Sequence, residues 1–365
     1  MTSRRWIMRT GTGLALLAAA SVGASGATRA PNPKPTRAAA RKLAVVAPAF
    51  IRDRITELGK AFDGRVGIAV KSIDQGWVAG WNVNDLYPQQ SVSKLWVSIT
   101  ALDAVDGGRL SLDDKVTLTR NDLTLFHQPV AAEVLDTGSF TTTIDDLMLR
   151  EITQSDNTAN DKLMNLVGGP AAVRAMIARK HLGAIRFANG ERALQSKIAG
   201  LAWKPDYSIG NAFFEARDAL PTKVRQAAFD RYVRSPYDGA APSAIVTALA
   251  RLKRGQLLSP TSTEHLLTIM SETHTGPNRL KGGLAAGWTL NHKTGTGQVL
   301  GDAQAGYNDI GILTAPDGES YAVAVMIKLT SVPLPVRMTL MNEVVRAVIA
   351  EHEREGVAAA VPKTR

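Results

Sequence analysis

The chain has 365 residues, of which 45% are hydrophobic and 21% are charged. This ordinary globular composition excludes a low-complexity protein, and the length allows one large domain or two intertwined subdomains with a sizeable core. Cysteine is absent, which excludes disulfides, thiol nucleophiles and thiolate metal sites.

The positive charge is concentrated near the N-terminus. The formal net charge is +10, and Arg4, Arg5 and Arg9 supply three of these charges in a stretch without acidic residues. Residues 28–42 add five more basic side chains and again no acid, so the rest of the chain carries only +2. A nucleic-acid-binding surface is therefore not indicated, and we expect no nucleic-acid partner.

The first residues have the pattern of an export signal. Ser3–Arg9 resembles a twin-arginine motif and is followed by the apolar run Leu14–Ala20, and Ser25–Ala27 offers small residues for cleavage. We therefore assign 1–27 to a signal peptide and 28–41 to a flexible basic linker, with an ordinary secretory signal as the alternative. The apolar run is far shorter than the ~20 residues of a membrane span, so we expect a periplasmic or secreted protein.

The remaining chain shows strand patterns near both ends and helical patterns between them. We predict a helix over about 47–60, strands over 65–71 and 77–81, mostly helical structure from 91 to about 285, strands near 306–314 and 320–328, and a helix over about 336–354. The economical fold is α/β of the α+β type, with one antiparallel sheet built from both chain ends, flanking helices and an inserted helical subdomain. We place this domain at 42–355, followed by a tail at 356–365.

A first motif offers a nucleophile and a base. Ser91 lies where an extended segment changes to an apolar helical run, so it would have a free backbone N–H and the positive end of a helix dipole beside it. Lys94 follows one helical turn later on the same face and would accept the serine proton when unprotonated. Taken alone, the pair is more typical of a helix-capping serine and a surface lysine.

Two further motifs follow in the order Ser155-Asp156-Asn157 and Lys293-Thr294-Gly295. Together with Ser91-Val92-Ser93-Lys94 they form a set that resembles the active-site serine penicillin-recognising enzymes, and the class A β-lactamases in particular. The stretches that flank the second and third motifs agree with this family over most of residues 42–350. The resemblance implies the fold shared by serine β-lactamases and D,D-peptidases.

The resemblance also implies roles for these residues. Ser155 would pass a proton to the leaving nitrogen, and Asn157 would bind a substrate amide or orient Lys94. Lys293 would set the electrostatics around Ser155 from what we expect to be the innermost strand of the sheet. Three residues would hold the substrate: Thr294 and Thr296 through its carboxylate, and Gly295 through a close backbone approach. The N–H groups of Thr296 and Ser91 would form the oxyanion hole.

The family's deacylating carboxylate corresponds to Glu191. It lies in Gly190-Glu191-Arg192-Ala193-Leu194-Gln195, which is similar to the family pattern Glu-x-x-Leu-Asn with Gln195 in place of asparagine. An exposed glutamate beside Arg192 is the alternative interpretation. Because glutamine is one methylene longer than asparagine, the placement of the hydrolytic water is in question.

The chain departs from the family around this glutamate. The arginine that usually braces the loop is replaced by Asn189, and Arg186 is a possible substitute as the partner of Asp238. An enlarged Ω-loop insertion occupies 196–237, and we expect it to cover the active-site mouth rather than dock elsewhere. Arg279 is similar to the position that some family members use to bind the substrate carboxylate.

The sequence therefore predicts an exported serine hydrolase that opens β-lactams through an acyl-enzyme on Ser91 and releases the product with water activated by Glu191. Two alternatives stay open: a D-alanyl-D-alanine peptidase or related peptidoglycan enzyme, and a non-hydrolytic β-lactam sensor. The histidines lack metal-ligand spacing, so we expect neither metal nor cofactor. We also expect a monomer.

Overall fold

A computed structural model describes residues 45–360. The α-helices are α1 Ala49–Ala61, α2 Lys94–Asp106, α3 Ala131–Thr137, α4 Ile144–Leu149, α5 Asn157–Leu166, α6 Gly169–Arg179, α7 Glu191–Ile198, α8 Ala212–Asp218, α9 Thr222–Arg234, α10 Pro242–Lys253, α11 Pro260–Ser271 and α12 Leu334–Ala360. The strands are β1 Arg65–Ser72, β2 Val78–Trp81, β3 Tyr87–Pro88, β4 Lys115–Thr119, β5 Ser139–Thr143, β6 Gly239–Ala240, β7 Thr289–Thr296, β8 Val299–Leu300, β9 Ala303–Gln304, β10 Tyr307–Thr314 and β11 Ser320–Leu329.

The central sheet has five antiparallel strands in the order β2-β1-β11-β10-β7. It joins the N-terminal hairpin to the C-terminal strands, as the sequence predicts. The expectation that Lys293 lies on the innermost strand is wrong, because β7 is at the edge of this sheet. The strand is nevertheless largely buried, since α11 and the turn that contains Ser91 pack against it. Its sequence is mostly polar, so its burial comes from the elements that cover it and not from an apolar pattern.

Both faces of the sheet are buried, and the strands alternate between two cores. In β11 the large residues at 321, 323, 325 and 327 pack with α1 and α12, while the residues at 322, 324 and 326 face the other core. The small side chains of Ala322 and Ala324 permit α10 to lie directly on the sheet. The sheet therefore separates a layer of terminal helices from the helical region.

The helical region is arranged around α2. Its residues from Lys94 to Leu102 are all buried, so this helix is enclosed on every side. Since α2 begins three residues after Ser91, the nucleophile is connected by a short turn to an enclosed helix. No helix among the described residues is long and apolar enough to cross a membrane.

The ends of the domain differ from expectation in one place. The predicted tail begins at 356, but α12 continues to Ala360. Helix-compatible residues run up to this point, and Pro362 comes two positions later, where it disfavours continuation. The signal peptide assigned to 1–27 and the linker assigned to 28–41 lie outside the described residues.

Candidate active site

Ser91 lies in a short 3₁₀ turn, Gln90–Ser93, that runs directly into α2. The preceding residue, Gln90, has a φ of 53°, a left-handed conformation that non-glycine residues adopt only when surrounding contacts hold them there. Ser91 borders a cleft of about 480 Å³. The backbone of this turn is therefore fixed in an unusual conformation at the point where the nucleophile enters the cleft.

Lys94 is fully buried and has polar partners around its ammonium group. Lys94 Nζ donates to Ser155 O at 2.7 Å and to Asn157 Oδ1 at 2.6 Å, and it lies 3.4 Å from Ser155 Oγ. Its nearest carboxylate oxygen is Glu191 Oε1, at 3.8 Å. A lysine in this position can exchange a proton with Ser91, Ser155 or Glu191 through short movements or one water.

Ser155 lies between the two motif lysines. It ends a π-helical turn, Arg150–Gln154, and has left-handed backbone angles of φ 63° and ψ 34°. Such turns and strained residues are found disproportionately at functional sites. Lys293 Nζ donates to Ser155 Oγ at 3.0 Å. Burial, together with the positive charge of Lys94, holds the pKa of Lys293 well below its ordinary value.

The end of β7 and Arg279 form a cationic corner. Arg279 Nη2 donates to Thr296 Oγ1 at 2.5 Å, and Nη1 donates to Asn308 O at 2.6 Å. Its guanidinium lies 3.8 Å from the centroid of the Tyr307 ring. Thr294 and Thr296 line the cleft beside it. The arrangement presents hydroxyl groups backed by a rigid cation, which suits a carboxylate.

Glu191 is the first residue of α7 and is buried at the cleft. Its backbone N–H donates to Asp161 Oδ1 at 2.8 Å, and the N–H of Arg192 donates to the other oxygen at 3.3 Å. Asp161 therefore caps α7. Burial and the neighbouring charge of Glu191 raise the pKa of Asp161 to about 6. The alternative of an exposed glutamate is wrong.

Gln195, which stands where the family has asparagine, contacts Glu191 directly. Gln195 Nε2 donates to Glu191 Oε2 at 3.1 Å and to Gln90 Oε1 at 3.0 Å. Gln298 Nε2 in turn donates to Gln195 Oε1 at 3.0 Å. The longer side chain thus spans Glu191 and the residue before the nucleophile, and its own carbonyl oxygen is engaged by Gln298.

The insertion contributes to the cleft wall. Phe126 and Arg217 line the cleft, and Arg217 belongs to α8 of the insertion. The Phe213 ring packs edge-on against Phe126 with 5.1 Å between centroids. Arg217 Nε lies 3.1 Å from Asp218 Oδ1. Arg217 of the insertion therefore borders the cleft and brings a further cation to it.

Arg186 does not replace the missing loop arginine. Arg186 Nη1 donates to Ser235 Oγ at 3.1 Å and lies 3.4 Å from Pro236 O, so it binds the end of the insertion rather than the Asp238 carboxylate. Asp238 Oδ2 instead accepts the backbone N–H of Gln90 at 2.7 Å, and Oδ1 accepts the hydroxyl of Tyr232 at 3.0 Å. The proposed substitution of one arginine for another was therefore wrong.

Sequence reasoning missed three buried polar residues of the site: Gln90, Asp161 and Tyr232. Asp161 was detectable, because it follows Asn157 by four residues and shares its helix face. Gln90 precedes the nucleophile, but its conformation leaves no trace in the sequence. Tyr232 carries no motif and is 142 residues from its partner Gln90.

Comparison with known proteins agrees with this geometry. The model of the Beta-lactamase enzyme family matches residues 50–352. The chain belongs to this family. It is 27% identical to β-lactamase VEB-1 of Pseudomonas aeruginosa over 274 residues. The matched region covers 75% of this chain and 81% of VEB-1. It is 29% identical over 279 residues to the extended-spectrum β-lactamase PER-1 of Pseudomonas aeruginosa. This match covers 76% of this chain and 80% of PER-1.

Solved structures show the same fold. A β-lactamase from Chitinophaga pinensis superposes with a TM-score of 0.68 at 28% identity, covering 83% of this chain and 99% of that one. The serine β-lactamase fold predicted from the sequence is therefore confirmed, and the chain is a hydrolase of this family.

Proposed function

We propose that this enzyme hydrolyses β-lactams through a covalent ester on Ser91. The observation that carries the proposal is the buried carboxylate of Glu191, whose Oε1 lies 3.8 Å from Lys94 Nζ at the cleft that Ser91 lines. A carboxylate in this place can activate water against an ester on Ser91, as deacylation requires. The β-lactamases VEB-1 and PER-1, which the chain resembles over most of its length, support the same substrate class.

In the acylation step, Ser91 Oγ attacks the carbonyl carbon of the ring. Its proton passes to Lys94 in the unprotonated form, or to Glu191 through a water; which base serves is disputed for the family. The carbon–nitrogen bond of the ring breaks, Ser155 donates its proton to the nitrogen, and Ser155 is reprotonated by Lys94, whose Nζ lies 3.4 Å from its Oγ. Lys293, 3.0 Å from Ser155 Oγ, supports this transfer. Thr294, Thr296 and Arg279 hold the substrate carboxylate.

In the deacylation step, Glu191 removes a proton from a water that attacks the ester carbonyl. The bond to Ser91 Oγ breaks, and the serine regains a proton from the surrounding network. Gln195 keeps Glu191 oriented through the contact of 3.1 Å. The open-ring acid then leaves the cleft.

The test is hydrolysis of a chromogenic cephalosporin by the purified protein, with Ser91→Ala alongside. Sustained turnover that is lost in the variant supports the proposal. A single stoichiometric burst followed by no turnover contradicts hydrolysis and indicates a sensor or a peptidase. No reaction of Ser91 at all contradicts the substrate class.

We also propose that the protein is exported and acts as a monomer in the periplasm or outside the cell. The support is the paired Arg4 and Arg5 ahead of the apolar run Leu14–Ala20. Replacement of both arginines by lysine should retain the protein in the cytoplasm if export uses the twin-arginine route. Continued export of that variant would favour an ordinary secretory signal, and light scattering of the purified protein would measure its oligomeric state.

A further inference from the structure

Tyr232 is a buried tyrosine in the part of the chain that interrupts the Ω loop. It lies on α9 and has no exposed surface. Its ring packs in a small core with residues of α7 and of its own helix: Leu194, Ile198, Phe229 and Val233. Since α7 begins with Glu191, the insertion is packed directly behind the helix that carries the deacylating candidate.

The hydroxyl of Tyr232 makes two hydrogen bonds at once. It donates to Asp238 Oδ1 at 3.0 Å and accepts from Gln90 Nε2 at 2.5 Å. A phenol can fill both roles because its oxygen donates one proton and retains lone pairs. The hydroxyl therefore connects the far end of the interrupted loop to the residue before Ser91.

The connection continues to Glu191. Gln90 Oε1 accepts from Gln195 Nε2 at 3.0 Å, and the same Nε2 donates to Glu191 Oε2 at 3.1 Å. Both hydrogens of the Gln195 amide are thus assigned, which fixes the direction of its side chain. We call the five residues Asp238, Tyr232, Gln90, Gln195 and Glu191 the deacylation chain.

Every member of the deacylation chain is buried, with at most 6% of any residue exposed. Tyr232 and Asp238 have no exposed surface, so water cannot easily replace a partner that is lost there, and removal of one group leaves its neighbours unsatisfied. Hydrogen bonds in such an environment are stronger than those at the surface and orient their members together. A change at Tyr232 should consequently be felt at Glu191, although the two residues do not touch.

The deacylation chain occupies the place of the arginine–aspartate ion pair that the sequence lacks. Asn189 stands at the arginine position and accepts from Arg174 Nη1 at 3.1 Å, while Arg186 binds Ser235. Asp238 has no guanidinium among these contacts and relies on the tyrosine hydroxyl and the Gln90 N–H. Burial raises the pKa of Asp238 to about 6, which is consistent with a carboxylate held by neutral donors.

We propose that Tyr232 is a positioning residue for deacylation. Its hydroxyl fixes Gln90, Gln90 orients Gln195, and Gln195 holds the Glu191 carboxylate in place for the attacking water. The insertion thereby supplies the support for Glu191 that an arginine–aspartate pair would otherwise give. This inference rests on the proposed function.

The test is Tyr232→Phe in the full-length protein, which retains the ring and removes only the hydroxyl. We expect kcat for a chromogenic cephalosporin to fall about 10- to 100-fold, because Glu191 would no longer be held in place for the attacking water. The acylation rate constant, measured by rapid mixing, should stay within threefold. Intact-mass measurement after quenching should show the ester on Ser91 accumulating in the variant.

Tyr237→Phe is the matched control. Tyr237 lies in the same segment, its ring centroid is 5.9 Å from that of Tyr232, and its hydroxyl is buried without a partner among the described residues. This substitution should leave both rate constants unchanged. A loss that is equal in the two variants would mean that general packing of the segment is responsible and would overturn the inference.

A second variant, Gln90→Met, tests the connection between Tyr232 and Glu191 at its middle residue. Gln90→Met keeps the length of the side chain but removes both hydrogen bonds, so it should reproduce the selective loss of kcat. If Tyr232 acts through Gln90, the double variant should be no slower than the slower single variant, whereas independent effects would multiply.

Three further results would overturn the inference: an unchanged kcat in Tyr232→Phe, an equal loss of acylation and deacylation, or multiplicative effects in the double variant. If Tyr232→Phe fails to fold, Gln90→Met decides alone, and an equal loss of both steps there counts against the proposal. Failure of the parental protein to acylate Ser91 would instead contradict the proposed function itself.

Discussion

The cleft has two halves that are built in different ways. The acylation half consists of Ser91, Lys94, Ser155 and Lys293. Within it, Ser155 Oγ lies 3.4 Å from Lys94 Nζ and 3.0 Å from Lys293 Nζ. The deacylation half consists of the deacylation chain, with Asp161 at the backbone of Glu191. Its members are neutral amides, one phenol and carboxylates.

The difference lies in what holds each half in place. Ser91 and Lys94 are three residues apart, so the 3₁₀ turn Gln90–Ser93 and the start of α2 set their distance. Tyr232 and Gln90 are separated by 142 residues, so only the packing of α9 behind α7 brings them together. None of the four residues of the acylation half belongs to the insertion, whereas the deacylation half depends on Tyr232, which the insertion supplies.

Glu191→Gln should have the largest effect on the deacylation half alone. Loss of the general base should lower kcat about 10³-fold, while acylation continues and ester accumulates on Ser91. Burst kinetics with intact-mass detection measure both steps. Turnover at the parental rate would show that Glu191 is not the base, and the division of the cleft into two halves would fail.

Lys293→Ala should affect the acylation half. Removing the cation 3.0 Å from Ser155 Oγ should lower kcat/KM about 100-fold without accumulation of ester. Because the pKa of Lys293 is held low by burial, the cation is lost as the pH rises, so kcat/KM of the parent should decline on the alkaline side. In Lys293→Arg this decline should move to higher pH; an unmoved alkaline limb would assign it to another group.

Arg279→Ala should weaken substrate binding without distinguishing the acylation half from the deacylation half. Loss of the cation that supports Thr296 should raise KM about 10- to 100-fold with a smaller change in kcat. Arg279→Lys keeps the charge but cannot make the paired contacts, so its KM should lie between those of the parent and of Arg279→Ala. A fall in kcat alone would indicate that Arg279 acts on the chemistry rather than on binding.

Asp161→Asn should change stability in a pH-dependent way. The pKa of Asp161 is raised from 3.8 to about 6, so folding of the parent loses stability as the pH rises through this window and the buried carboxyl ionises. The variant has no charge to bury, and its advantage in the free energy of unfolding should grow over the same window to at most ~3 kcal/mol. Urea unfolding between pH 4 and pH 8 measures it; a pH-independent difference would exclude this cause.

Arg217→Ala should give the smallest effect. The side chain is 23% exposed and shares Asp218 with Arg225, so its attraction for a substrate anion is partly screened. We expect KM to rise about two- to fivefold for β-lactams with a second carboxylate in the side chain, and not for neutral ones. Arg225 contacts the same aspartate, so Arg225→Ala is the control. It should leave this preference unchanged.

Much of the fold was accessible from the sequence because its signals are local. The alternation in Arg65–Ser72 and the turn after it predict the first hairpin, and the apolar period of the last helix predicts α12. The position of β7 was not accessible. Strand order depends on pairing between distant segments, and the mostly polar sequence of β7 does not reveal its place at the edge of the sheet.

The candidate site divides in the same manner. The sequence by itself determined Ser91, Lys94, Ser155, Lys293 and Glu191, because each lies in a short motif whose spacing is set by one helical turn or one strand. Only the tertiary structure decided how Glu191 is supported: Asp238 bonds to the hydroxyl of Tyr232 rather than to Arg186. The physical reason is that a buried hydrogen bond is selected by the packing around it, and that packing comes from parts of the chain that no motif connects.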